Sequence, residues 1–253
     1  MKFLSRTLVV LTAAALPALA SAAEIKVAVA ANFHGTLQKL APQYAAASGN
    51  TLTLSSGSSG QFYTQITNGA PFDVFLSADA ERPAKLEQEG YAVEGTRFIY
   101  AIGVPVLWSA TPGVVDSEGK VLTENKFKHI AIAEPRNAPY GAAAQEVLTK
   151  LGVWDALESG GKVAKGNSIG QTHSQVATGA AELGFVALAQ VKTPEGIPGS
   201  HWIPPSDLYT PIAQAAVVLK RADDVEAAKH FLNWLRNDPV SRKAIEDAGY
   251  GLE

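Results

Sequence analysis

Between Glu24 and Gly90 the sequence passes three times through one succession: an apolar strand, a short polar turn and an amphipathic helix. Residues 24–30, Glu-Ile-Lys-Val-Ala-Val-Ala, read as a strand entering a parallel sheet buried on both faces. A helix capped by Asn32 follows, with Leu37, Leu40, Tyr44 and Ala45 at helical spacing until Ser48-Gly49-Asn50 stops it. Pro42 predicts a kink or a late start in that helix. Residues 51–55 are the second strand, 56–60 its turn and 61–68 its helix. Residues 72–76 form the third strand, and Ser77-Ala78-Asp79 caps a helix reaching Gly90. This succession requires an α/β fold with a mainly parallel sheet, whose ligand sites lie at the carboxyl ends of its strands.

The rhythm continues with strands at 98–109, 129–133, 184–188 and 212–219. Pro139-Tyr140-Gly141 opens an alanine-rich helix over 142–151, and helices over 224–235 and 240–248 close the chain. The 98–109 strand is longer than the usual five or six residues, and 212–219 returns after the proline-rich loop 194–211. Both stretches read as crossings between lobes. The expected architecture is a two-lobed molecule with a hinge: lobe I from 24–99 plus 213–253, lobe II from 100–212, each a mixed, mainly parallel sheet flanked by helices. The sequence contains no internal repeat, low-complexity tract or Ser/Gly linker.

Residues 1–23 read as a secretory signal. Lys2 and Arg6 form a charged head, residues 8–20 an apolar run too short to span a bilayer, and Ala20-Ser21-Ala22 the small residues a signal peptidase accepts. Cleavage near Ala22 or Ala23 gives an exported, periplasmic protein that is not membrane-embedded. Removing Lys2 and Arg6 leaves 19 basic against 24 acidic side chains, a net charge of −5 that disfavours nucleic acid and anionic membrane surfaces. The chain has no cysteine, which excludes disulfides, thiol nucleophiles and Cys-ligated metals. None of its five histidines pairs at helical spacing for a shared metal.

Four polar turns stand where strands end and helices begin: Ala31-Asn32-Phe33, residues 56–61, Ala138-Pro139-Tyr140-Gly141, and residues 167–171. Each aims unpaired backbone N–H groups and the positive end of a helix dipole at one crevice, the makeup of an anion site. Singly, each turn is equally an ordinary helix cap. None of the four contains Lys, Arg, Asp, Glu or His, so an anion there is held by neutral donors with nothing to accept a proton from it, and the site prefers a fully deprotonated, sulfate-like or molybdate-like oxyanion over phosphate. Arg136 lies near enough in sequence to approach the crevice, although a salt-bridging role suits it better.

Enzyme motifs fail. Gly57-Ser58-Ser59-Gly60 is one residue short of a nucleophile elbow, no dinucleotide fingerprint is present, and two Ser-x-x-Lys matches, at Ser117 and Ser159, lack companion motifs. His173 has no nucleophile to serve and reads as a polar helix residue; Asp79 is most simply a helix cap.

The ordered set Val29-Ala-Ala-Asn-Phe33, Ser55-Ser-Gly-Ser-Ser-Gly60, Gly69-Ala-Pro-Phe-Asp-Val-Phe-Leu-Ser-Ala-Asp79, Ala138-Pro-Tyr-Gly141, Asn167-Ser-Ile-Gly-Gln171 and Gly184-Phe-Val-Ala-Leu-Ala189 resembles the periplasmic molybdate-binding proteins of ABC transporters, the ModA family. The resemblance covers essentially the whole chain after the signal and implies a type II periplasmic-binding-protein fold. It implies that molybdate or tungstate sits between the lobes, bound by amides and hydroxyls without counter-charges. Carried onto this sequence, the contacts fall on Ala31 and Asn32, the hydroxyl and amide of Ser59, and the amides of Tyr140 and Ile169. Ala31 departs from the Ser or Thr common there, which leaves that contact to the backbone. The resemblance further implies a non-enzymatic, monomeric carrier without cofactor, working with an ABC permease and its ATPase. A receptor for sulfate or another oxyanion on the same scaffold, and an exported serine hydrolase using Ser58 or Ser59, are the rival readings.

Overall fold

The computed structural model describes residues 22–252, so all but the last two residues of the expected signal lie outside it. The chain runs β1 (Glu24–Ala30), α1 (Ala31–Ser48), β2 (Thr51–Gly57), α2 (Ser59–Thr67), β3 (Val74–Leu76), α3 (Glu81–Gln88) and β4 (Phe98–Gly103). At Val104 it leaves the first sheet. The second half holds β5 (Pro105–Ser109), α4 (Val121–Glu124), β6 (Ile130–Ala133), α5 (Pro139–Lys150), α6 (Trp154–Ser159), β7 (Val163–Gly166), α7 (Ile169–Ala177), β8 (Leu183–Ala187), α8 (Leu188–Val191) and β9 (Ser200–Trp202). The chain returns through β10 (Ile212–Val218) and ends in α9 (Val225–Asn237) and α10 (Pro239–Asp247).

The strand orders are β2-β1-β3-β10-β4 and β7-β6-β8-β5-β9. In the first sheet β1 runs parallel to β2 and β3, while β10 lies antiparallel between β3 and β4. In the second, β6 runs parallel to β7 and β8, while β5 lies antiparallel between β8 and β9. The second sheet therefore repeats the first strand for strand. This repeat has no counterpart in the sequence, because a strand's place depends on which faces it buries rather than on particular residues.

Each half has its own core. The α1 side chains Phe33, Leu37, Leu40 and Tyr44 pack with Val27 and Val29 of β1 and Phe231, Leu232 and Leu235 of α9. Ile130 and Ile132 of β6 pack with Val147 and Leu148 of α5 and Phe185 of β8. A third cluster draws from both halves, joining Ala30, Ala78, Ala133, Ala138, Tyr140, Ile169 and Ile212. It sits where the strands end and seals the two halves together.

Several expectations are corrected. The stretch 98–109 is two strands in different sheets, parted at Val104 between Gly103 and Pro105; Gly103 also passes close to Tyr140, where a Cβ would lie 2.3 Å from the hydroxyl oxygen. The first sheet holds the chain to Gly103 and takes it back at Ile212. Asn32 is not a cap; α1 starts at Ala31 behind Ala30, and Asn32 is buried in its first turn. The α2 helix begins at Ser59 rather than 61, because Ser58 and Gln61 form a reciprocal capping box. Pro42 neither delays nor ends α1, which runs unbroken as helix from 31 to 48.

Candidate functional site

Four helices begin at the carboxyl ends of four parallel strands. Ala31, Ser59 and Ile169 are the first residues of α1, α2 and α7, and Tyr140 is the second of α5, after Pro139, which has no N–H. First-turn amides have no carbonyl four residues back to bond, and each helix adds the positive end of its dipole. No side chain caps α1 or α5. The hydroxyls of Ser58 and Ser168 cap α2 and α7 at the amides of Gln61 and Gln171, which leaves the amides of Ser59 and Ile169 uncovered by them.

The five residues singled out from the sequence, Ala31, Asn32, Ser59, Tyr140 and Ile169, all line one cavity of about 10 Å³, with Ser58, Ala78 and Pro139 among its other walls. This volume is near the minimum that holds one water molecule.

Side chains complete the lining. Ser59 is 1% exposed, and its Oγ accepts the backbone amide of Ala78 at 2.9 Å, so its own proton is free to be donated elsewhere. The Asn32 side-chain amide donates to Gln214 Oε1 at 2.6 Å and to the Tyr250 oxygen at 3.2 Å, and Tyr250 donates to the Asn32 carbonyl at 2.8 Å. Gln214, fully buried, also accepts from Tyr100 at 3.2 Å and reaches the Tyr140 hydroxyl at 3.5 Å. Burial pushes the phenols of Tyr100, Tyr140 and Tyr250 well above their ordinary range, so this network stays neutral. Asn32 Oδ1 is buried without a partner.

No charged side chain lines the cavity. An adjoining cleft that shares Ala78 and Pro139 with it carries Asp79, Arg82 and Arg136. Arg82 pairs with Asp79, and the largely exposed Arg136 pairs with Glu134, so the Arg136 guanidinium is absent from the cavity wall. Asp79 lies two residues before α3 rather than next to it, and accepts from the Arg82 amide. His173 stacks on Trp108 with ring centroids 5.4 Å apart and is not in the lining; burial lowers its pKa. Ser58 and Ser59 thus have no histidine beside them in the cavity to take a proton. Among the described residues no three His, Asp or Glu side chains are placed to hold a bare metal ion. The site is a neutral shell rich in donors.

Sequence reasoning placed Ser58 in the second anion-facing turn without assigning it a contact, and missed Ala78, Gln214 and Tyr250. Gln214 was legible as the lone polar residue of an apolar strand. Ala78 and Tyr250 carry no local signal.

Residues 25–251 match the profile of a bacterial extracellular solute-binding protein. The chain is 51% identical over 251 residues to the molybdate-binding protein ModA of Azotobacter vinelandii, covering 99% of this chain and 98% of that one. It is 51% identical over 239 residues to ModA of Rhodobacter capsulatus, covering 94% and 92%. The solved structure of the Azotobacter vinelandii periplasmic molybdate-binding protein superposes with a TM-score of 0.89 over 90% of this chain and 99% of that one.

Proposed function

The chain belongs to the family of bacterial extracellular solute-binding proteins, and we propose that its solute is molybdate, with tungstate as an equivalent ligand, captured outside the cytoplasm for delivery to an ABC-type permease. The observation that carries this reading is the convergence of four helix N-termini on a cavity without a charged side chain, in a chain 51% identical to two ModA proteins. Solute-binding relatives of this kind are carriers rather than enzymes.

The anion's oxygens take hydrogen bonds from the amides of Ala31 or Asn32, Ser59, Tyr140 and Ile169 and from the Ser59 hydroxyl. Asn32 lines the cavity and its Oδ1 is buried without a partner; a side chain turned over beside the anion offers its NH₂ in place of an oxygen that would repel the ligand. Gln214 turns with it, donating to Asn32 Oδ1 and accepting from Tyr140. No cofactor takes part. The contacts come from both halves of one chain, so a monomer suffices, and bound anion holds the halves closed as a single shape for the permease and its ATPase to recognise.

Export by a signal cleaved near Ala22 or Ala23 is read from the charged head, short apolar run and small residues of 1–23. The Ala23 amide donates to Asn50 Oδ1 at 2.9 Å, and its carbonyl accepts from Thr51 at 2.9 Å. Among the described residues no helix is long and apolar enough to cross a membrane.

Calorimetric titration tests the reading. HPO₄²⁻ points a proton at a shell of donors and loses a hydrogen bond there; sulfate is all acceptor but smaller, so a rigid shell leaves donors short at about 1 to 3 kcal/mol each. The expected order is molybdate with tungstate, then sulfate, then phosphate. Phosphate binding level with molybdate overturns the reading.

A further inference from the structure

Two hydrogen bonds join the lobes at a single loop, residues 134–138 between β6 and α5. The amide of Gly60, second residue of α2, donates to the Asn137 carbonyl at 2.9 Å. Arg82, second residue of α3, donates Nη2 to the Arg136 carbonyl at 2.8 Å. The rest of Arg82 is tied to its own lobe: Nη1 pairs with Asp79 Oδ2, and its backbone amide donates to Asp79 Oδ1 at 2.8 Å. The pair is mostly buried, 22% and 17% exposed. One arm of the guanidinium fork is therefore anchored and the other reaches across the cleft. At Gly60 the lobes approach so closely that a Cβ would stand 3.0 Å from both Asn137 Cα and Oδ1. The same loop leads directly into Ala138, Pro139 and Tyr140 of the cavity wall.

We propose that Arg82 and Gly60 form a two-point latch on the 134–138 loop, positioning residues that set how long the closed cleft retains its anion. The inference rests on the functional reading above. Neither residue lines the cavity. Both acceptors are backbone carbonyls carried by the loop that brings the α5 N-terminus to the site, so latch and anion contacts form together. An open cleft loses the two bridging bonds and keeps the Arg82–Asp79 pair. The latch therefore stabilises only the closed state: it slows release and leaves capture unchanged.

Release of radiolabelled molybdate, chased with unlabelled molybdate, is compared in the wild type, Arg82→Lys and Gly60→Ala, alongside association rates and ligand-free melting temperatures. Lysine keeps the charge pair with Asp79 but has no fork to reach both acceptors. Alanine in a helix raises helix propensity, so Gly60→Ala cannot act by weakening α2. The expected result is release about tenfold faster in each variant, as for loss of one bridging hydrogen bond of about 1.4 kcal/mol. Association stays within about twofold of wild type, and the ligand-free melting temperature is not lowered. Wild-type release rates in both variants overturn the latch while leaving the functional reading intact, and faster release accompanied by lowered ligand-free melting temperatures in both also overturns it. A wild type that fails to bind molybdate overturns both.

Discussion

Ala78 fixes Ser59 as a donor: its backbone N–H occupies a lone pair of Ser59 Oγ at 2.9 Å. Ser59→Ala removes the hydroxyl and keeps the amide, and it strands the Ala78 N–H as well. The expected loss is about 1.5 to 3 kcal/mol, the range for a hydrogen bond to a charged group, or one to two decades in molybdate affinity. Titration calorimetry giving wild-type affinity removes the Ser59 side chain from the site.

Asn32→Asp keeps the shape and adds a charge. Two unit charges about 4 Å apart repel by about 4 kcal/mol at an effective dielectric of 20, so binding at pH 8 should weaken more than about a hundredfold. Anion nearby raises the new carboxyl's pKa, so binding takes up a proton. Affinity must then rise as pH falls, by up to about tenfold per unit. A pH-independent loss instead assigns the defect to disturbed packing around Gln214.

The wild type should show no such slope. The cavity wall holds no His, Asp, Glu, Lys or Arg, and burial keeps Tyr100, Tyr140 and Tyr250 protonated beyond the ordinary phenol range. Molybdate affinity should stay constant within about twofold from about pH 6 to 9. A tenfold change across that interval, measured by calorimetry in buffers of different ionisation heat, points to a titrating group in contact with the anion.

Gly103→Ala drives a methyl into the Tyr140 hydroxyl, which lies 2.3 Å from the position a Cβ takes, with ring Cζ at 2.8 Å. Overpacking of this kind costs about 1 to 3 kcal/mol. Because the displaced residue lines the cavity, affinity should fall together with stability. Adding Tyr140→Phe removes the nearer contact and should restore part of both; Tyr140→Phe alone gives up only a hydrogen bond of 3.5 Å and should bind within about threefold of wild type. Denaturation and titration on the three variants check this.

The first sheet's strand–turn–helix succession was legible because burial on both faces writes itself as apolar runs, and the turns that end them need small polar residues. The same logic brought out the four polar turns at 31–33, 56–61, 138–141 and 167–171, and the resemblance to the molybdate-binding proteins picked Ala31, Asn32, Ser59, Tyr140 and Ile169 within them. What stayed hidden is what lies across the sheet or across the cleft. Gln214 is 182 residues from Asn32, and Tyr250 is 218; no local pattern announces such partners. The split of 98–109 was written in the sequence and passed over: Gly103 and Pro105 stand on either side of Val104, the two residue types that most often end a strand. Short elements such as β7, β9, α4 and α6 have too few residues to establish a period.

The two crossings also dictate an order of assembly. Every strand of the second sheet lies within one unbroken segment, β5 to β9, whereas the first sheet joins β3 to β4 only through β10. A chain emerging from its N-terminus can thus finish its later half while its earlier half is still missing a central strand. Until residue 218 is available, β3 and β4 present open edges with no partner between them. The half that begins first is completed last, and in the interval its unpaired edges are open to mispairing.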